Sequence, residues 1–168
     1  MECEKSDPRA VRTRNLIKEA FLSLVQKKDF HEVTVKDITE KAAVNRATFY
    51  AHFTDKYRLL DCTVVQTFRE NMMNRIGCSE ALSERTIRHM LVVLCECLQE
   101  LYQTYRKSGD SIGPIIERII IHQLRSSIDH QFRQSDGGRE EDAQTQSRRL
   151  AAANVLSWSI YGAAYTWV

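Results

Sequence analysis

Asn45, Arg46, Thr48, Tyr50 and His52 place five hydrogen-bonding side chains within one short segment. These groups suit recognition of phosphate oxygens and base edges. Phe49 and Phe53, four residues apart, share a helix face and can anchor it inward, and Ala47 is small enough to let the helix approach a groove closely. Lys56, just beyond, is placed for a second phosphate, and Lys36 on the preceding segment completes the cationic set.

The surrounding sequence holds these side chains on a helix–turn–helix. Thr34 is an N-cap, with Asp37 three residues on to return the hydrogen bond, and Val33 and Ile38 form a hydrophobic staple. This first helix ends near Ala42-Ala43-Val44, and Asn45 caps a second from Arg46 to His52. Thr54 is the expected cap of a third helix, with Asp55 in its first turn. Helix, tight turn, helix is the unit that sets a second helix into a DNA major groove. A solvated helical hairpin is the ordinary alternative; the caps and polar set favour DNA.

Residues 12–60 resemble the N-terminal DNA-binding domain of the TetR family of bacterial transcriptional regulators. The resemblance is carried by Thr34-Val35-Lys36-Asp37-Ile38, Ala42, Thr48-Phe49-Tyr50-Ala51-His52-Phe53, Lys56 and Leu59. Two positions depart from the family pattern: Ala43 stands where Gly is usual in the turn, and Asn45 where Ser is usual. The resemblance implies that Thr34, Tyr50 and Lys56 touch phosphate, while Asn45, Arg46 and Thr48 face the groove floor. His52 either touches phosphate or covers Phe49. It further implies a homodimer on a near-palindromic operator, acting as a repressor.

The rest of the chain reads as all-α. Only two Pro and six Gly occur in 168 residues, and apolar residues recur with helical period. Pro8 opens a first helix reaching about Lys28, with Ile17, Ala20, Phe21, Leu24 and Val25 as its inward stripe. Arg9, Arg12 and Arg14 near its start suit either a phosphate backbone or a solvated face. The expected organisation is a three-helix head over residues 1–54 and a helical body over 55–168, for regulation and dimerisation. In the body, one helix runs from Asp55 to about Ile76, with a break at Gly77-Cys78-Ser79. A second runs from a Ser83 cap to Gly109 with a seam of Ile87, Leu91, Leu94, Leu98, Leu101 and Tyr105. A third opens at Gly113-Pro114, with Ile116, Ile120, Leu124, Ile128 and Phe132 as its stripe. A polar loop at 134–142, centred on Gly137-Gly138, precedes a final helix that bears no charge from Leu150 to Val168.

That charge-free stretch is too polar for a membrane span, with Asn154, Ser157, Ser159 and Thr166 in it. It reads instead as a helix covered on both faces. Ala153, Ser157, Ile160, Gly162, Ala163 and Trp167 are its candidate dimer residues. The family resemblance implies either that a further helix completes the dimer face or that the protein ends unusually early. It also implies an effector cavity in the body. Leu94, Leu98, Tyr102, Tyr105, Ile116, Ile120 and Leu124 are the candidate lining, suited to an apolar or aromatic small molecule; a packed core would have the same composition.

Charge leans toward the head, with 12 Lys and Arg against 9 Asp and Glu in residues 1–60 and 12 against 13 beyond. Five cysteines, Cys3, Cys62, Cys78, Cys95 and Cys97, form no C-x-x-C pair and read as thiols in a reducing cytoplasm. The charged N-terminus carries no apolar signal core. No nucleotide-binding, zinc-protease or nucleophile-elbow motif is present, so neither an enzyme, a cofactor nor a metal is expected. His89 and His122 with a Glu are the alternative metal set to ordinary histidines. The alternative function is a helical interaction protein that keeps this head but acts through a protein partner.

Overall fold

The computed structural model describes residues 7–75, 82–135 and 142–168. The expected break at Gly77-Cys78-Ser79, the loop centre at Gly137-Gly138, Cys3 and Cys78 lie outside the described residues. Seven helices are present and no strand among the described residues: α1 (Pro8–Val25), α2 (Val35–Lys41), α3 (Arg46–His52), α4 (Lys56–Arg75), α5 (Glu84–Thr104), α6 (Gly109–Ser135) and α7 (Ala143–Trp167). The fold is all-α, a helix-turn-helix head with a helical body.

The chain divides into two compact units. The first takes in residues up to Thr63 together with Gln103–Gly113; the second holds Val64–Tyr102 and Pro114–Val168. The head thus runs past the expected boundary at residue 54, and it recruits the α5–α6 turn, which no local sequence signal assigns to it. Its core is Ile17, Phe21, Val25, Phe30, Val33, Ile38, Phe49, Phe53, Leu59 and Leu60, all essentially inaccessible. Tyr105 belongs to this core: its ring lies 6.5 Å from that of Phe21, and its hydroxyl is 2.9 Å from Thr63 Oγ1.

Two helix starts differ from expectation. Asp55, not Thr54, caps α4: its Oδ1 accepts the Arg58 N–H at 2.7 Å and its carbonyl accepts that of Leu59 at 3.3 Å. A carboxylate at the cap also faces the positive end of the helix dipole. In α6 the helix begins at Gly109, one turn before Gly113-Pro114, because the Ser108 carbonyl accepts the N–H groups of Ser111 and Ile112 at 2.9 and 3.1 Å. Pro114 therefore sits inside the helix rather than at its opening.

In the body unit the inward face of α5 is Met90, Val93, Leu94, Cys97, Leu98 and Leu101, turned from the Ile87–Leu91 edge of the expected seam. On α6, Ile116, Ile120, Leu124 and Ile128 are buried as expected. The Asp129 carboxylate is paired with Arg149 of α7 and, at 3.2 Å, with Arg133 of its own helix. The ion pair draws Arg149 into the core at the start of α7, whose buried stripe continues through Ala153, Ser157, Ile160, Tyr161 and Ala164. No helix among the described residues is long and apolar enough to cross a membrane.

Candidate nucleic-acid interface

The helix–turn–helix is built by the local interactions the sequence specifies. Thr34 Oγ1 accepts the Asp37 N–H at 3.2 Å while Asp37 Oδ2 accepts the Thr34 N–H at 2.8 Å, closing the capping box. Val33 and Ile38 are both fully buried. Lys28 Nζ lies 2.9 Å from the same Oδ2, tying the segment after α1 to the start of α2. The Lys28 contact and the Thr34 bonds together hold the Asp37 carboxyl well below the ordinary carboxylate range.

The turn after α2 closes by a reciprocal pair of backbone bonds. The Val44 N–H reaches the Thr39 carbonyl at 3.0 Å, and the Ala43 N–H reaches that of Glu40 at 3.3 Å. This Schellman arrangement requires a left-handed residue, and Ala43 supplies it at φ 53°. It is the only non-glycine with positive φ among the described residues. The turn therefore keeps the geometry glycine would give, at a cost in backbone strain. Asn45 then caps α3, its Oδ1 accepting the Thr48 N–H at 2.7 Å.

On α3, Phe49 is buried against Phe53, ring centroids 5.9 Å apart. Arg14 lies over the Phe53 ring at 5.0 Å, and its guanidinium donates to Cys62 Sγ at 3.3 Å. The opposite face carries Asn45, Arg46, Ala47, Tyr50 and Ala51, all exposed, flanked by half-buried Thr48 and His52. Tyr50 packs its ring edge-to-face on Phe49, which holds it upright while leaving it 55% exposed. Thr34 and Lys36 are exposed on α2 and its cap, with Lys36 Nζ 3.8 Å from Glu40 across one turn. That exposed pair is weak. Seven of the eight residues expected at the interface thus lie along α3 or around the start of α2.

Lys56 has a different setting. Its Nζ donates to three backbone carbonyls, those of Phe30, His31 and Val33, at 3.0, 3.0 and 2.9 Å. It also lies over the Phe30 ring at 4.7 Å and the Tyr57 ring at 5.8 Å. All three ammonium protons are committed, where the sequence reading expects them on a phosphate. Burial lowers its pKa below the ordinary lysine value.

Residues 17–61 match the family described as bacterial regulatory proteins, tetR family. The head belongs to the TetR family. Among curated proteins, the chain is 33% identical over 96 residues to an uncharacterized HTH-type transcriptional regulator of Bacillus subtilis, YxbF, covering 56% of this chain and 25% of that protein. It is 32% identical over 62 residues to the HTH-type dhaKLM operon transcriptional activator DhaS of Lactococcus lactis, covering 37% of this chain and 33% of that one. The chain thus spans a quarter to a third of the length of the curated relatives it matches. Two solved structures share the fold at low identity. DhaS aligns with TM-score 0.50 at 22% identity over 89% of this chain and 85% of that one. Salmonella enterica GusR aligns with TM-score 0.52 at 19% identity over 97% and 94%.

The TetR-family head carries partners that sequence reasoning missed. Ser108 Oγ accepts the Phe30 N–H at 2.7 Å, and Ser111 Oγ reaches Asp29 at 3.4 Å. Both serines lie some eighty residues from the turn they hold, and no periodicity links such distant positions. Of the expected effector-lining set, Leu94, Leu98, Ile116, Ile120 and Leu124 are buried in the body unit with half-buried Tyr102, whereas Tyr105 belongs to the head. The expected dimer set also divides. Ala153, Ser157 and Ile160 are buried against the chain's own body, because the Arg149–Asp129 pair fixes that stripe inward. Gly162, Ala163 and Trp167 remain exposed.

Among the thiols, burial and the neighbouring Glu100 push Cys97 up to about 12, and burial also raises Cys95. Both shifts disfavour the nucleophilic thiolate at neutral pH.

Proposed function

We propose that the protein is a sequence-specific DNA-binding transcriptional regulator that works as a homodimer. The observation that carries the DNA-binding reading is the two-faced α3: Phe49 locks one face into the core, leaving Arg46, Tyr50 and the Asn45 amide exposed on the other. In this reading Arg46 reads a base edge, guanine being its commonest partner. Thr48 and Asn45 support it, while Thr34, Lys36, Tyr50 and His52 position the helix on the backbone.

The dimer reading rests on α7. Opposite its buried stripe, Ala151, Val155, Trp158, Gly162 and Tyr165 recur at intervals of four and three and are all exposed. Val155, Trp158 and Tyr165 are at least half accessible. An apolar seam with this spacing packs against another helix, and a two-fold partner would set two α3 helices on a near-palindromic site.

A mobility-shift titration against DNA upstream of the protein's own gene tests the assignment. The expected result is a discrete complex that survives competitor DNA; purely non-specific, salt-sensitive retention favours a head acting through a protein partner instead. A reporter on the same fragment reads the sign of regulation. Repression is the sequence-based expectation, and release by an apolar or aromatic small molecule would assign the body as effector domain.

A further inference from the structure

We propose that Lys56 is a positioning residue for DNA binding, acting through the α1–α2 turn rather than by contact with phosphate. The inference rests on the regulator reading above. The turn from Asp29 to Val33 determines where α2 starts, and α2 in turn holds α3 through the strained Ala43 turn. Backbone carbonyls left over at such a turn need donors, and one tetrahedral ammonium reaches three at 2.9–3.0 Å, those of His31 and Val33 and that of Phe30, which also accepts the Val33 N–H. The Phe30 and Tyr57 rings cover that ammonium from two sides. The Phe30 N–H is meanwhile satisfied by buried Ser108. The turn is thus pinned on both its N–H and its carbonyl sides. Moving the ammonium onto a phosphate would strand the Val33 carbonyl, in a bond that is already part-buried, and leave the Phe30 carbonyl with only the Val33 N–H at 3.2 Å.

The test uses the full chain, the duplex that the wild-type protein selects from random DNA, and a scrambled duplex of the same length. Affinities of wild type, Lys56→Ala and Lys56→Arg are measured across a salt series, with active fractions set by stoichiometric titration. A variant that merely unfolds then loses binding sites rather than affinity. Arg keeps the charge, but its planar fork cannot converge on three carbonyls as an ammonium does. Both variants should bind the selected duplex roughly tenfold more weakly, the equivalent of one charge-assisted hydrogen bond. Their preference over the scrambled duplex should narrow, and both should keep the wild-type salt slope. A phosphate clamp gives the opposite pattern: Lys56→Arg binds like wild type and Lys56→Ala loses about 0.9 of slope. That pattern, or wild-type affinity in both variants, overturns the proposal. If Lys56→Ala loses its fold, Lys56→Gln carries the slope measurement. A wild-type protein that selects no duplex refutes the regulator reading itself, and this inference with it.

Discussion

Ala43 holds a left-handed backbone, φ 53°, in the turn of the helix–turn–helix, and replacing it with glycine isolates the cost of that conformation. An L-residue in this region carries roughly 1–2 kcal/mol of steric cost that glycine does not. Glycine in turn loses about 0.5–1 kcal/mol more conformational entropy on folding. Ala43 is exposed, so its methyl contributes no core packing to offset either term. Ala43→Gly should therefore stabilise the head by about 0.5–1 kcal/mol, a rise of roughly 1–4 °C in melting temperature for a chain of this size. Ala43→Val, β-branched at the same φ, should destabilise by more than about 1 kcal/mol. Melting by circular dichroism reads both, and affinity for DNA should be unchanged in Ala43→Gly because the two Schellman bonds persist. A glycine variant no more stable than wild type, with a valine variant no less stable, would refute the strained turn.

Thr34→Ala removes the α2 cap and should cost about 0.5–2 kcal/mol in a denaturant titration. Asp37 has a folded pKa depressed by Lys28 and Thr34, so its stabilisation is complete above the ordinary carboxylate range and is lost as pH falls through the folded value. The melting-temperature gap between wild type and Asp37→Asn should accordingly be constant above about pH 5 and close toward pH 2; a gap that widens in acid contradicts the assignment. Gly162→Arg should leave monomers by analytical ultracentrifugation while preserving helicity, since Gly162 is exposed and a Cβ there points into open space. Ser157→Arg should instead unfold the body, and an intact, folded dimer in both variants would move the interface off α7.

What the sequence made legible was local. The Thr34–Asp37 box, the Val33–Ile38 staple, the Asn45 cap and the inward Phe49 all follow from short-range spacing, and each is present. The α7 faces were harder, because Leu150 to Val168 carries no charge and its composition does not distinguish inside from outside. Arg149 decides the matter, yet its partner Asp129 lies on another helix, far off in sequence. The carbonyl partners of Lys56 are illegible in the sequence for a related reason. Its sequence position is that of a DNA contact in the family pattern, whereas the carbonyls it meets lie 23–26 residues away in a turn whose path no local rule supplies. Tyr105 continues the heptad-like seam in sequence, but it lies just past the end of α5, in the turn that belongs to the head unit.

The central claim is that the exposed face of α3 reads DNA sequence. Selection from random duplexes by wild type and by Arg46→Ala, followed by anisotropy titration of the enriched duplex, tests it most directly. Wild type should enrich a near-palindrome whose half-sites lie about one helical turn apart. Arg46→Ala should relax preference at one position in each half-site, worth roughly 1–3 kcal/mol of discrimination, while binding scrambled DNA much as before. Enrichment of no sequence, or an Arg46→Ala variant that loses specific and non-specific affinity equally, would contradict the account.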